Sequence, residues 1–199
     1  GDFLTLRSAS VDGETHDHET TPDDGHDHGD YDPHVWLDPL NIADIGNHLA
    51  DALSQIDPDN AAAYRDNAAT LTEDVRELDE RFVAGLANCR TTTFITSHSA
   101  FGYLADRYGL NQVGISGLTT EEEPSPAHIA EIQQVATQHQ LTTIFYETAA
   151  SPKFAETIAA DLGLVTDVLD PLETLSPEAR GANYLEVMRS NLEALRKAN

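Results

Sequence analysis

Four side chains able to donate to a divalent cation stand where short β-rich runs end or where prolines stiffen the backbone. His98 follows the run TTTFIT (91–96), Glu147 closes TTIFYE (142–147) and Asp170 closes LVTDVLD (164–170). In an open parallel sheet, ligands bind in the crevice beyond the carboxyl ends of the strands, so one imidazole and two carboxylates would meet at one edge of one sheet. Imidazole favours zinc, and carboxylate suits zinc or manganese. The same residues taken singly also read as helix caps or surface groups, since Ser97-His98 and Asp170-Pro171 both have the composition of a cap. His34 lies in Asp32-Pro33-His34-Val35-Trp36-Leu37-Asp38-Pro39, with a restricting proline on either side. Restriction lowers the entropic cost of ordering a ligand, although a lone histidine before a helix is more often a structural residue.

Residues 12–32 offer a second, looser cation chemistry. His16 and His18 flank Asp17, and His26 and His28 flank Asp27, within a stretch of acids, Gly and Thr with almost nothing to bury. Each triplet sets two imidazoles beside carboxylates, fit for weak, exchangeable capture. The composition reads as a disordered surface loop, and a merely solubilising loop would look the same. His48, His128 and His139 fall on helical patterns away from strand ends and read as surface residues.

The elements that must position these groups follow from periodicity. Residues 1–11 hold a short apolar stretch (Phe3, Leu4, Leu6) suited to a single strand. Asp38-Pro39 supplies a helix start, and Ile42, Ile45, Leu49, Leu53 and Ile56 recur at helical steps. Asp57-Pro58 starts a second helix whose apolar stripe Tyr64, Ala68, Leu71, Val75, Leu78 and Phe82 runs on to about Leu86, roughly 40 Å at 1.5 Å per residue. After Arg90 strands and helices alternate: 91–96, then helix 98–108; 112–116, then 126–138; 142–147, then 152–161; 164–170, then about 182–196. Ser97, Ser125-Pro126 and Ser151-Pro152 are the expected helix starts. The alternation means βαβ units and a parallel sheet.

Composition limits the partners. The 199 residues carry 35 acidic against 11 basic side chains, a formal net charge of −24. Such a body repels phosphate backbones, which excludes ordinary nucleic-acid binding and leaves cations as natural partners. Asp contributes 20 of the acids, and the bases are nine Arg and two Lys, a surface suited to high salt, where screening relieves self-repulsion. Residues 1–32 hold ten acids against one Arg, and the rest of the chain carries the remaining −15. No apolar run approaches the roughly 18 to 20 residues of a membrane span. The single Cys89 excludes an intramolecular disulfide and a multi-cysteine metal cluster.

The strings DPHVWLDP, TSHSAFGYLADRYGL, SPAHIAEI, IFYETAASPKFAETIA, LDPL and YLEVMRSNLEAL resemble, in that order, the zinc/manganese solute-binding proteins of metal-uptake ABC transporters, the ZnuA-like group. The match runs from Asp32 to about Leu195, four fifths of the chain. The resemblance implies an α/β fold of two lobes joined by one long helix, with a metal between them. It implies His34 and His98 as metal ligands, Asp170 as the carboxylate ligand or a neighbour of the site, and Glu147 as a supporting or alternate ligand. Zinc is the implied metal rather than manganese, because manganese-type relatives place a glutamate where His98 stands and zinc-type relatives carry a His-rich loop before DPHxWLDP.

The family's full-length members have a further first-lobe segment with another histidine ligand, so this chain reads as a C-terminal portion. Residues 1–57 would be the remnant of the first lobe including the loop 12–32, 58–88 the connecting helix, and 89–199 a complete four-stranded parallel βα lobe. The implied function is extracytoplasmic capture of zinc by a monomer, without catalysis, for delivery to an ABC permease, with membrane anchoring through a missing N-terminus. Alternatives are a manganese-binding member, a zinc-dependent hydrolase using Glu147 as base, and a surface metal-buffering or adhesion module. The hydrolase lacks any H-E-x-x-H-type motif.

Overall fold

Local chemistry starts the first helix where the sequence places it. The Asp38 side chain accepts from the Leu40 backbone N–H, Pro39 occupies the first turn, and helix α1 runs Pro39–Ile56. The computed structural model describes residues 4–8, 31–118, 124–148, 152–174 and 179–198. The histidines of the 12–32 segment and the cap expected at Ser151 lie outside them. A short 3-10 turn leads into α2 (Ala61–Leu86), whose 26 residues extend about 39 Å.

The apolar stripe of α2 is buried as its period predicts, at Ala68, Val75, Leu78, Phe82 and Leu86. Helix α1 behaves differently. Its buried positions are Pro39, Ala43, Ala50 and Ser54, whereas Leu49 is exposed and Ile56 is 81% exposed. A Cβ on Gly46 would lie 2.9 Å from Leu71 of α2. The two helices therefore approach through small residues, and close approach overrides the larger apolar side chains that the period singled out.

Four short parallel strands follow, β1 (Thr93–Thr96), β2 (Asn111–Gly114), β3 (Thr143–Tyr146) and β4 (Val165–Val168), in spatial order β2-β1-β3-β4. Between them run α3 (Gly102–Tyr108), α4 (Pro126–Gln138) and α5 (Lys153–Leu162), and α6 (Tyr184–Ala198) closes the chain. Alternate strand residues face opposite layers. Phe94 and Phe145 join Leu78, Phe82, Leu104, Met188 and Leu195 on one face, while Ile95 and Ile144 join Ile115, Ile132 and Ile158 on the other. Gly109 and Gly163, at φ +66° and +69°, end α3 and α5 in the left-handed region that glycine adopts without a Cβ clash.

Three expectations shift. Helix α3 begins at Gly102, not His98, and the Ser97 hydroxyl donates to Glu147 rather than capping a helix. The strand expected at 1–11 is, among the described residues, a single antiparallel bridge between Ser8 and Tyr31. Among the described residues, no helix is long and apolar enough to cross a membrane.

The turn after β4 is held from α6. Asn191, 1% exposed, accepts from the Asp170 backbone N–H at 2.9 Å and donates to the Asp170 carbonyl at 2.7 Å. Asn191→Leu strands both groups in the interior, where each unpaired polar group costs about 1–3 kcal/mol. Urea unfolding of this variant is expected to show a loss of about 3 kcal/mol, and a loss below about 1 kcal/mol would mean the clamp contributes little.

Candidate metal centre

Three segments meet beyond the carboxyl ends of the strands. The first carries His34, just ahead of a 3-10 turn at Val35–Leu37. Asp32 Oδ1 accepts from the His34 backbone N–H at 3.0 Å and from its ring Nδ1 at 2.7 Å. Trp36 donates through Nε1 to the Pro171 carbonyl at 2.8 Å, and the Tyr184 hydroxyl donates to the Trp36 carbonyl at 2.8 Å. These bonds pin the His34 segment to the turn after β4.

The second segment follows β1 and carries His98. Thr96 Oγ1 and Gln112 Nε2 both donate to the His98 carbonyl, fixing the backbone. The ring Nδ1 donates to Glu147 Oε1 at 2.6 Å, and Ser97 Oγ donates to the same oxygen at 3.0 Å. Strands β1 and β3 are neighbours with Thr96 opposite Phe145, so the residues that follow reach the same height.

The third segment is the turn after β4. Asp170 faces its own backbone: Oδ1 accepts from the Leu172 N–H at 2.8 Å and Oδ2 from Thr148 Oγ1 at 3.2 Å. Leu172 sits at φ +60°, a conformation that costs a branched side chain energy and that the Asp170 bond helps to hold. This turn projects Glu173, whose Oε1 stands 2.9 Å from His34 Nε2 and 3.1 Å from His98 Nε2.

The hydrogen bonds decide what the cluster can do. An ionised carboxylate only accepts, so Asp32 and Glu147 place the ring proton of each neutral histidine on Nδ1. Both Nε2 lone pairs then face the Glu173 oxygen. The three donor atoms lie within 4.8 Å of one another, and three acceptors in one place require a cation or a proton between them. Ligands about 2.0–2.1 Å from a tetrahedral zinc are about 3.3 Å apart, near the 2.9 and 3.1 Å that separate Glu173 Oε1 from the two Nε2 atoms. Carboxylates behind metal-binding imidazoles are the usual arrangement around such a site.

His34 and His98, singled out in the sequence, are thus brought together, and Glu147 stands behind His98. Asp170, expected from the resemblance as the carboxylate ligand or a neighbour of the site, is turned to the backbone, and the carboxylate that reaches the two imidazoles is Glu173, three residues further on. The strand-end rule pointed to this loop, but it stopped at its first acid. Asp32 was also missed as a partner, although a carboxylate two residues before a candidate ligand is a readable signal. His128 contacts the Gly114 carbonyl and Glu131, and His48 contacts the Asp44 carbonyl, both apart from this centre.

The chain matches the family model described as zinc-uptake complex component A, periplasmic, over residues 4–198. It is 40% identical over 199 residues to the zinc-binding lipoprotein AdcA of Streptococcus pneumoniae, covering 99% of this chain and 39% of that protein. The fold matches the laminin-binding adhesin Lmb of Streptococcus agalactiae in a mutant structure, with TM-score 0.81 and 36% identity over 98% of this chain and 67% of that one. It also matches the Zn(II)-bound ZnuA-like domain of Streptococcus pneumoniae AdcA, with TM-score 0.72 and 40% identity over 86% of this chain and 65% of that one. The chain thus spans about two fifths of the curated AdcA relative.

Burial lowers the His98 pKa, but the hydrogen bond and charge of Glu147 and the charge of Glu173 outweigh it, leaving the pKa above the ordinary value. A folded-state pKa above the unfolded one stabilises most below about pH 6.5, and that contribution fades as pH rises through the raised value. Thermal melts of the metal-free chain in chelator from pH 6 to 8 should therefore fall with pH more steeply for the parent than for His98→Ala. Parallel slopes would show that His98 carries no such linkage.

Proposed function

This chain belongs to the family of periplasmic zinc-uptake complex component A proteins, and from that premise we propose that it captures zinc outside the cytoplasm for delivery to an ABC permease. The observation that carries the reading is the convergence of two buried, carboxylate-backed imidazoles on one carboxylate. In this reading His34 Nε2, His98 Nε2 and Glu173 Oε1 ligate the metal, and a water or another side chain completes the tetrahedron. Asp32 and Glu147 orient the imidazoles, and Asp170 shapes the turn that carries Glu173. Two imidazoles in the donor set favour zinc over manganese.

Glu147 supports binding rather than hydrolysis. Its Oε1 accepts from Ser97 and His98, which ties this carboxylate to the imidazole it orients. The protein performs no reaction in this reading; its work is ligation and release. Residues 89–199 form the C-terminal lobe, 58–88 the connecting helix, and 1–57 belong to the first lobe. The histidines of the 12–32 segment gather cations ahead of the buried centre. Adhesion is a second reading, supported by the likeness to a protein described as a laminin-binding adhesin. Adhesion to a laminin-coated surface in zinc and in chelator tests it.

Calorimetric zinc titration separates these roles. His34→Ala and His98→Ala are expected to weaken the tightest site about 100-fold or more, and Glu173→Gln at least about tenfold, against the 10- to 100-fold typical for groups that only support ligands. Asp170→Asn should leave zinc affinity within about threefold, because Asn keeps an oxygen for the Leu172 N–H. If His98→Ala leaves the tightest site intact, this centre is not the zinc site. Should only replacement of residues 12–29 by a Gly/Ser linker abolish binding, the segment is the functional part.

Zinc binding needs neutral imidazoles, so it competes with protons. The raised His98 pKa brings that competition to higher pH than an ordinary histidine would. Calorimetry in buffers of different ionisation heat should show proton release per zinc growing as pH falls from 8 to 6, and a pH-independent count would exclude His98 as a ligand.

A further inference from the structure

Asp32 has two oxygens, and the second faces Arg7. Oδ1 holds His34; Oδ2 lies 3.5 Å from Arg7 Nη1, with the Asp32 side chain fully buried and that of Arg7 37% exposed. Arg7 is itself anchored on three sides. Its Nε donates to Asp106 Oδ2 at 2.6 Å, its backbone N–H donates to the Tyr103 hydroxyl at 2.8 Å, and its carbonyl accepts from the Asp32 N–H at 3.0 Å. The Tyr103 hydroxyl in turn donates to the Asp32 carbonyl at 3.1 Å.

Gly102 supplies an independent observation. A Cβ there would fall 2.0 Å from Arg7 Nη1 and 2.9 Å from Asp32 Oδ2. Its helical backbone needs no glycine for conformational reasons, so the missing side chain serves to admit this ion pair against the first turn of α3.

We propose that Arg7 is a positioning residue for the metal centre: its guanidinium fixes Asp32, and Asp32 fixes the direction of the His34 ring. The inference rests on the reading of His34 and His98 as zinc ligands. Charge supports it as well as geometry. Asp32, Glu147 and Glu173 bring more carboxylates to the centre than a divalent cation offsets, and Arg7, shared with the exposed Asp106, is the cation that reaches Asp32. A buried carboxylate without such a partner is costly, and an Asp32 free to turn toward solvent would release the Nδ1 side of His34.

The test is a calorimetric zinc titration of the full 199-residue chain carrying Arg7→Gln or Gly102→Ala, each alone and combined with Asp32→Asn. Loss of a partner behind a ligand weakens metal binding about 10- to 100-fold, and Arg7 lies one bond further out, so each single substitution is expected to cost about tenfold. In the Asp32→Asn background neither should cost anything more, because residues acting through a shared partner are not additive. Arg7→Gln that melts lower yet binds zinc like the parent overturns the proposal and leaves a purely structural clasp. An equal loss with Asp32 and with Asn at position 32 overturns it too, since Arg7 would then act by another route. If Arg7→Gln does not fold, Gly102→Ala carries the test, adding one methyl that displaces the guanidinium. His98→Ala with unchanged zinc affinity would instead bring down the parent reading.

Discussion

Two carboxylate–imidazole hydrogen bonds govern this centre. Without Asp32 on His34 and Glu147 on His98, each ring could carry its proton on either nitrogen, and the lone pairs would not be committed to one point. Both bonds are buried, and buried carboxylates need full sets of partners. Much of the local architecture provides them. Parallel neighbours β1 and β3 place Glu147 beside His98, Ser97 gives its hydroxyl to Glu147 instead of a helix, and α3 starts late at a glycine that leaves room for the partner of Asp32. Trp36 and Tyr184 then lock the His34 segment to the turn that carries Glu173.

The scarcity of cations in this chain gives each well-placed one unusual weight. Arg7 stands between Asp32 and Asp106, Arg107 between Asp38 and Asp79, and Arg180 and Lys197 share Asp167. The Arg107 pair ties the start of α1 to α2 and α3, and its neighbour Tyr108 stacks on Phe82 at 4.9 Å and donates to Asp79. Exposed pairs of this kind are worth little and fade in salt. Bridges in which one guanidinium serves two acids, at least one of them largely buried, remain effective where screening has relieved the rest of the −24 charge.

Local signals were the most legible part of the fold. Asp38-Pro39 and Ser125-Pro126 marked the starts of α1 and α4, because a cap and a first-turn proline act within a few residues. The strand–helix alternation likewise revealed the parallel sheet. What escaped the sequence depends on distant contacts. The face of α1 was misjudged because helix packing there selects small residues for close approach, which hydrophobic period cannot register. His98 and Ser97 were drawn into α3 because only Glu147, about 50 residues on, reveals what the serine does. At the site, both histidines were legible from motif and strand ends. Glu173 was not, since a left-handed residue at Leu172 aims it, and nothing in the string LDPLE distinguishes the acid that holds the turn from the acid the turn presents.

The bridge between Ser8 and Tyr31 and the bond from the Asp32 N–H to the Arg7 carbonyl bring the two ends of the intervening segment together. With its ends fastened, the length of that segment enters stability through loop closure, where each doubling of length costs only about 0.6 kcal/mol. Histidines and acids can therefore be added, removed or duplicated between residues 8 and 31 while the sheet, the helices and the buried pair of imidazoles are left as they are. In the proposed reading, this arrangement separates two quantities that a single site would force to vary together, how many cations the protein can gather and how tightly it holds one.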